Sequence, residues 1–200
     1  MQKYVSCDLE VNKSTIRALF PEALASDIKT DNLKIGDRKA LLCFVNGSTD
    51  TESVIKIEKS LLDVGDGIKS CPDMKDFMER FVPYNDKKEE REIEKLTNAL
   101  LSLMSLLFID GFDSAIILDT KKYPSRGISE PEKNKTLRGP RDGFSESVYT
   151  KTSLIRRRIK SKDLVFEEFD IGKLTKTRVI MSYMRGKASD ELVMRLRETL

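Results

Sequence analysis

The stretch "LKIGDRKALLCFVNGSTDTESVIKIEKSL", residues 33–61, contains a complete strand-to-helix unit. An Ile-Gly pair precedes an apolar run at 40–45, and such a run is typical of an inner strand. Gly47 then closes the strand, because glycine takes positive φ or allows a close approach at little cost. A helix is predicted to follow, with Thr49 and Glu52 at capping-box spacing.

The same pattern recurs in "FDIGKLTKTRVIMSYMRGKASDELVMRLRETL", residues 169–200. With one three-residue gap, Gly186 takes the place of Gly47, and Ser189 begins the second helix. Both helices have apolar residues at i, i+3 and i+7, which predict one buried face in each: Val54, Ile57 and Leu61, then Val193, Leu196 and Leu200. Two generic units could align in this way, but we favour an internal duplication.

The region between the copies has its own pattern. Residues 85–104 predict a helix that begins charged and becomes apolar, with Asp86 as its N-cap. Residues 105–119 predict two strands around an Asp-Gly turn. A helix with a basic C-terminal end is predicted over 147–161, followed by a strand over 163–172.

The expected fold class is α/β, with two small mixed-sheet halves that contain the repeated strand-Gly-helix unit. The first half is predicted to span 1–84, the connecting helix 85–104 and the second half 105–200. A strap at 121–146 belongs to the second half, and its apolar residues predict that it is ordered. The predicted structural turns are Gly47, Gly139, Pro140 and Gly186.

Charge is unevenly distributed along the chain. Residues 121–162 contain 13 Lys and Arg residues but 4 Asp and Glu residues, whereas residues 1–120 have an acidic excess. This basic band is either a solvated face, a strap paired with its own carboxylates, or a surface for a partner. The candidate contact residues for a partner or ligand are Arg126, Glu130, Arg138, Arg141, Arg156, Arg157 and Arg158.

Catalytic and metal chemistry find little support in the composition. The chain has no His and no CxxC pair, so a zinc site and a His-dependent nucleophile are not expected. Its three isolated Cys residues are typical of a reducing compartment. We therefore expect no enzyme activity, no metal and no cofactor.

Four motifs within 105–172 are more specific: "FIDGFD", "YPSRGISEPE", "RGPRDGF" and "T.LIRRRI", in that order. Together they resemble the A subunits of GerA-family spore germinant receptors, and the resemblance covers 105–200 well. It implies the cytosolic N-terminal domain of a multi-pass protein of the inner spore membrane. The end of the chain at Leu200, in the middle of a helical pattern, favours an N-terminal piece of a longer protein.

The resemblance also implies partners and a role. Such receptors assemble from A, B and C subunits, so we expect contacts with the B and C subunits, with the membrane domain of the same chain, or between copies in a homo-oligomer. The role would be receptor assembly or signal transmission, without catalysis. The alternative is a domain that binds a small ligand or nucleic acid through the cleft between the halves or the basic band, although the lack of a recognised module argues against nucleic acid.

Overall fold

The computed structural model describes residues 2–121 and 147–200. Its helices are α1 (Leu9–Leu19), α2 (Thr51–Asp63), α3 (Met74–Phe81), α4 (Ile93–Leu101), α5 (Val148–Arg158) and α6 (Asp190–Thr199). A short 3₁₀ helix (Gly65–Ser70) lies between α2 and α3. The strands are β1 (Ile28–Ile35), β2 (Arg38–Val45), β3 (Lys87–Glu90), β4 (Ser105–Ile109), β5 (Ala115–Leu118), β6 (Leu164–Ile171) and β7 (Thr177–Met184).

Five strands form an antiparallel sheet in the order β1-β2-β4-β5-β3. Because successive side chains of a strand point to opposite faces, the sheet has two apolar faces. Leu41 and Phe108 pack with α1 and α4 on one face, whereas Leu42 and Leu107 pack with α2 and α3 on the other. The sheet is thus the middle of three layers, which explains why β2 and β4 are apolar runs without alternation.

A separate antiparallel pair, β6-β7, forms the second sheet. It is joined to the first part of the chain by a parallel bridge between Ala25 and Phe166. The N–H of Ser26 donates to the carbonyl of Phe166 at 3.1 Å, and the N–H of Phe166 donates to the carbonyl of Leu24 at 3.0 Å. The segment that leads into β1 therefore also continues the second sheet.

The two copies of the repeat have the same order of elements. Each consists of a β-hairpin, a glycine turn and a helix: β1-β2-α2 and β6-β7-α6. Gly47 and Gly186 have φ angles of 81° and 74°, as the predicted turns require. Ser189 caps α6, because its Oγ accepts from the N–H of Leu192. The α/β class is confirmed, while the duplication stays a prediction.

The cap of the first copy is different from the prediction. Helix α2 begins at Thr51, so its N-cap is Asp50 rather than Thr49. The Asp50 carboxylate accepts from the N–H of Ser53 at 3.3 Å and from its hydroxyl at 2.7 Å. Thr49 instead donates its hydroxyl to the carbonyl of Val45 at 2.8 Å, in the turn that ends β2.

The helix predicted over 85–104 is also shorter than expected. Residues Lys87–Glu90 form β3, which pairs with β5 at the edge of the sheet. Helix α4 begins only after Glu92, so Asp86 is not its cap. Pairing with a neighbouring strand outweighs the local helix propensity of this charged segment.

The predicted hairpin over 105–119 is present as β4 and β5, with Gly111 at a φ of 86°. Both strands belong to the five-stranded sheet, which therefore takes strands from either side of residue 104. The domain limits 1–84, 85–104 and 105–200 stay a prediction. The sheet order favours grouping 105–118 with the first half of the chain.

The apolar face of α6 is the clearest difference between the copies. Val54, Ile57 and Leu61 of α2 are buried as predicted, and so is Val193 of α6. Leu196 and Leu200, however, are each 43% exposed, so the buried face predicted for α6 is wrong beyond Val193. No helix in the described ranges has the length and hydropathy that a membrane span needs.

Candidate functional site

Helix α5 lies where the two sheets meet, and Arg156 in its last turn is completely buried. Its Nε donates to Oδ2 of Asp27 at 2.8 Å, and its Nη2 donates to Oδ1 of Asp27 at 2.9 Å. Asp27 is also fully buried, immediately before β1. This bidentate pair, the Asp27–Arg156 clasp, ties α5 to the first sheet with fixed geometry.

Arg156 also fixes the chain that follows α5. Its Nη1 donates to the carbonyl of Ser161 at 2.8 Å, and its Nη2 donates to the carbonyl of Leu164 at 3.3 Å. The guanidinium carbon lies 5.0 Å from the centre of the Phe166 ring in β6. A single buried cation thus contacts the segment before β1, the segment after α5 and the second sheet.

The first turn of α5 makes a second contact with the first sheet. Gly47 in the turn after β2 lies so close to Tyr149 that a Cβ on Gly47 would overlap the Tyr149 carbonyl. The Tyr149 ring is covered by the guanidinium of Arg178 in β7, which pairs with Glu168 in β6 at 2.7 Å. Helix α5 therefore touches both sheets at both of its ends.

A further network attaches α6 to the second sheet. Arg197 donates to both carboxylate oxygens of Glu167, and the hydroxyl of Tyr183 donates to the same carboxylate. The hydrogen bonds from Arg197 hold the pKa of Glu167 below its ordinary value of 4.5, against the opposing effect of burial. Burial and this anionic neighbour raise the pKa of Tyr183.

The predicted contact residues fall into three groups. Residues 122–146 lie outside the described residues, and this range includes Arg126, Glu130, Arg138, Arg141, the turn Gly139-Pro140 and the apolar residues of the strap. Arg157 and Arg158 are exposed at the end of α5, and their role in a contact stays a prediction. The prediction that Arg156 contacts a partner or ligand is corrected, because its guanidinium is buried, pairs with Asp27 of the same chain and offers no exposed surface to a partner.

Several residues of this site escaped sequence reasoning. Asp27 lies 129 residues before Arg156, so no local pattern connects them. A weak signal exists in "LASDIKT", residues 24–30, where one carboxylate stands at the start of a strand beside small and apolar residues. Three consecutive Arg residues at the end of a helix usually indicate a solvated basic end. This interpretation does not distinguish Arg156, which faces inward, from the two Arg residues that follow it.

One depression in the structure is a candidate location for the alternative hypothesis of a small-ligand site. A depression of about 510 Å³ lies between α4 and the segment after α5, lined by side chains that include Lys3, Asn98, Lys160 and Asp163. Ligand pockets often have such a volume, so a small-ligand role stays a prediction. Within residues 2–121 and 147–200 no three His, Cys, Asp or Glu side chains are grouped as a metal site would need.

Comparisons with known proteins give the family. Residues 14–200 match the family described as Bacillus/Clostridium GerA spore germination protein. Spore germination protein KA of Bacillus subtilis is 30% identical over 182 residues, which are 88% of this chain and 33% of that protein. Stage V sporulation protein AF of Bacillus subtilis is 28% identical over 167 residues, which are 84% of this chain and 34% of that protein.

A solved structure gives the same fold. The N-terminal domain of the A subunit of the Bacillus megaterium spore germinant receptor GerK3 matches with a TM-score of 0.76. The match covers 100% of this chain and 74% of that one, at 24% sequence identity. The chain spans about a third of the length of the two curated relatives. With a family match over 187 of its 200 positions, the chain belongs to the GerA spore germination family.

Proposed function

We propose that this chain is the cytosolic N-terminal domain of a nutrient germinant receptor A subunit, at the inner spore membrane. It acts without catalysis, in receptor assembly or in signal transmission. Membership of the GerA family supports this proposal, and so does the fold shared with the N-terminal domain of a receptor A subunit. The relatives are about three times as long as the matched region, which leaves room for further domains in the whole protein.

The buried position of Arg156 is the observation that favours a mechanical role. Its contacts with Asp27, the carbonyl of Ser161 and the Phe166 ring belong to three different parts of the fold. A shift of the second sheet relative to the first must therefore move α5 or break charge-assisted hydrogen bonds in a buried site. Such a joint suits a domain that passes a displacement from one contact surface to another.

Exposed apolar side chains support the proposal that the domain binds partners. Leu192 and Leu196 of α6 and Leu200 at its C-cap are spaced four residues apart on one side of the helix, and each is between 43% and 52% exposed. Contiguous exposed apolar surface commonly marks an interaction site. The proposed partners are the B and C subunits and the membrane domain of the same chain, with a homo-oligomer as a further arrangement.

The proposal is tested in spores that carry the full-length protein. One strain lacks the gene, a second has it restored, and a third has it restored without the segment 2–200. The expected result is that a nutrient response is lost in the first strain, restored in the second and absent in the third. Immunoblots of the B and C subunits then separate the two roles, because their levels fall in the third strain if the domain serves assembly and stay normal if it serves transmission. Unchanged responses in every strain would refute a role in germination.

A further inference from the structure

The segment after α5 has an unusual surface composition. Residues 157–162, here called the basic loop, read Arg-Arg-Ile-Lys-Ser-Lys and contain four cations and no carboxylate. Arg157, Arg158, Lys160 and Lys162 are all exposed. So dense a cluster of exposed cations attracts an anionic surface over a distance of about one Debye length, ~8 Å at physiological ionic strength.

An apolar side chain lies in the middle of these cations. Ile159 is 40% exposed and ends α5, where its N–H donates to the carbonyl of Ile155 at 2.9 Å and its backbone turns to an extended conformation. An isolated anion or a nucleic-acid backbone gains nothing from this side chain. Cations that flank an exposed aliphatic side chain are instead the combination by which peripheral proteins bind a bilayer interface.

Hydrogen bonds from neighbouring parts of the fold hold the backbone of the basic loop in place. The carbonyl of Ser161 accepts from Nη1 of the buried Arg156 at 2.8 Å. The hydroxyl of Ser161 accepts from the N–H of Asp163 at 3.1 Å, and the carbonyl of Asp163 accepts from the N–H of Arg185 at 2.8 Å. A loop that is already ordered loses less conformational entropy when its cations bind, so the same contacts give a higher affinity.

The neighbouring depression does not account for the cluster. Lys160 and Lys162 lie on its wall together with Lys3, but Glu94 and Asp163 lie on the same wall. These carboxylates offset much of the positive charge there. The exposed side of the loop contains cations and no carboxylate of its own, which fits a broad layer of headgroups better than one small anion.

We propose that the basic loop binds the phosphate headgroups of anionic lipid, with Ile159 inserted into the headgroup layer. The inference rests on the proposed function, because a cytosolic domain of a membrane receptor lies beside a leaflet that contains anionic lipid. It adds a specific contact: the domain binds the bilayer directly, through a surface that the Asp27–Arg156 clasp holds in position.

The test is flotation of the 200-residue chain with vesicles of phosphatidylcholine, alone or mixed with phosphatidylglycerol. The expected result is binding to the mixed vesicles only, which weakens as salt is raised. Lys160→Glu/Lys162→Glu should lower the partition coefficient at least about 30-fold, since each cation near such a surface contributes about fivefold. Ile159→Ser should lower it without changing its salt dependence.

The matched control is Lys56→Glu/Lys59→Glu on α2, which makes the same change in net charge at two exposed positions on another helix. The control should bind like the parent, and circular dichroism should show that all variants are folded. Equal losses in both double variants, or binding without preference for phosphatidylglycerol, would overturn the proposal. If the loop variant binds vesicles normally but loses the other receptor subunits in co-purification, the loop is a protein contact and the lipid proposal fails. A failure of vesicle binding would leave the germination test of the whole domain unaffected.

Discussion

Replacing Arg156 by Met should be among the most damaging single changes in this chain. The substitution leaves the carboxylate of Asp27 charged and fully buried, and it removes the donors to the Ser161 and Leu164 carbonyls. Removal of one partner of a buried pair costs about 3–5 kcal/mol. We expect a loss of about 4 kcal/mol, a large part of the roughly 5–15 kcal/mol by which domains of this kind are stable.

A double-mutant cycle shows whether the clasp is the cause. Asp27→Leu alone should cost a similar amount, because it leaves the guanidinium buried without its counter-ion. The double variant Asp27→Leu/Arg156→Met removes both charges and should be clearly more stable than the sum of the single losses predicts. We expect a coupling free energy of at least about 2 kcal/mol from urea unfolding at neutral pH.

A surface pair provides the matched control. Arg91 and Asp113 form an ion pair at 3.1 Å, with side chains that are 59% and 54% exposed. The cycle Arg91→Met/Asp113→Leu should give a coupling below about 0.5 kcal/mol, since solvent screens the pair. If the coupling between positions 27 and 156 is as small as in this control, the two residues do not act as a buried clasp and the reasoning is refuted.

Three further predictions concern separate parts of the fold. Gly47→Ala should destabilise the chain more than Gly186→Ala, because both residues have positive φ but only Gly47 packs against Tyr149, and equal losses in thermal unfolding would contradict this. Cys7 is exposed and should react first with a thiol reagent, and this first reaction should vanish in Cys7→Ser. Burial raises the pKa of Cys43 to about 12, so Cys43 should react only on unfolding. Early labelling of Cys43 would show that β2 is accessible. The pKa of Glu167 is lower in the folded state than its ordinary 4.5, so the stabilising effect of its carboxylate is complete above pH 4.5 and is lost as pH falls through the folded pKa. Glu167→Gln should therefore make the free energy of unfolding less pH-dependent in this range. An unchanged pH dependence would count against the Arg197 contact.

Elements with strong local signals could be predicted from the sequence. The turns at Gly47, Gly111 and Gly186, helix α5 and the strand after it follow from glycine placement, hydrophobic pattern and capping residues. Strand β3 could not be predicted, because Lys87–Glu90 is charged and becomes a strand only by pairing with β5. Local pattern also places Leu196 of α6 on an inner face, while its exposure depends on what packs against it.

The candidate site was harder to predict for a related reason. Arg156, Arg157 and Arg158 are consecutive and chemically identical, so only the rotation of α5 against the sheets decides which one faces inward. The partner of the inward one, Asp27, belongs to a distant segment whose position depends on the whole fold. The motif "T.LIRRRI" indicated the family, but it did not indicate which of these three Arg residues is buried and which are exposed.

Helix α5 and its clasp join the two sheets, and we propose that germination depends on this joint. The most direct test is the nutrient-triggered germination rate of spores whose full-length protein carries Asp27→Leu/Arg156→Met. This pair of apolar residues fills the site but lacks the bidentate hydrogen bonds that fix its geometry. We expect a normal protein level with clearly slower germination than in spores with Arg91→Met/Asp113→Leu. Germination at the parental rate, with the double variant present at the parental level, would contradict this proposal.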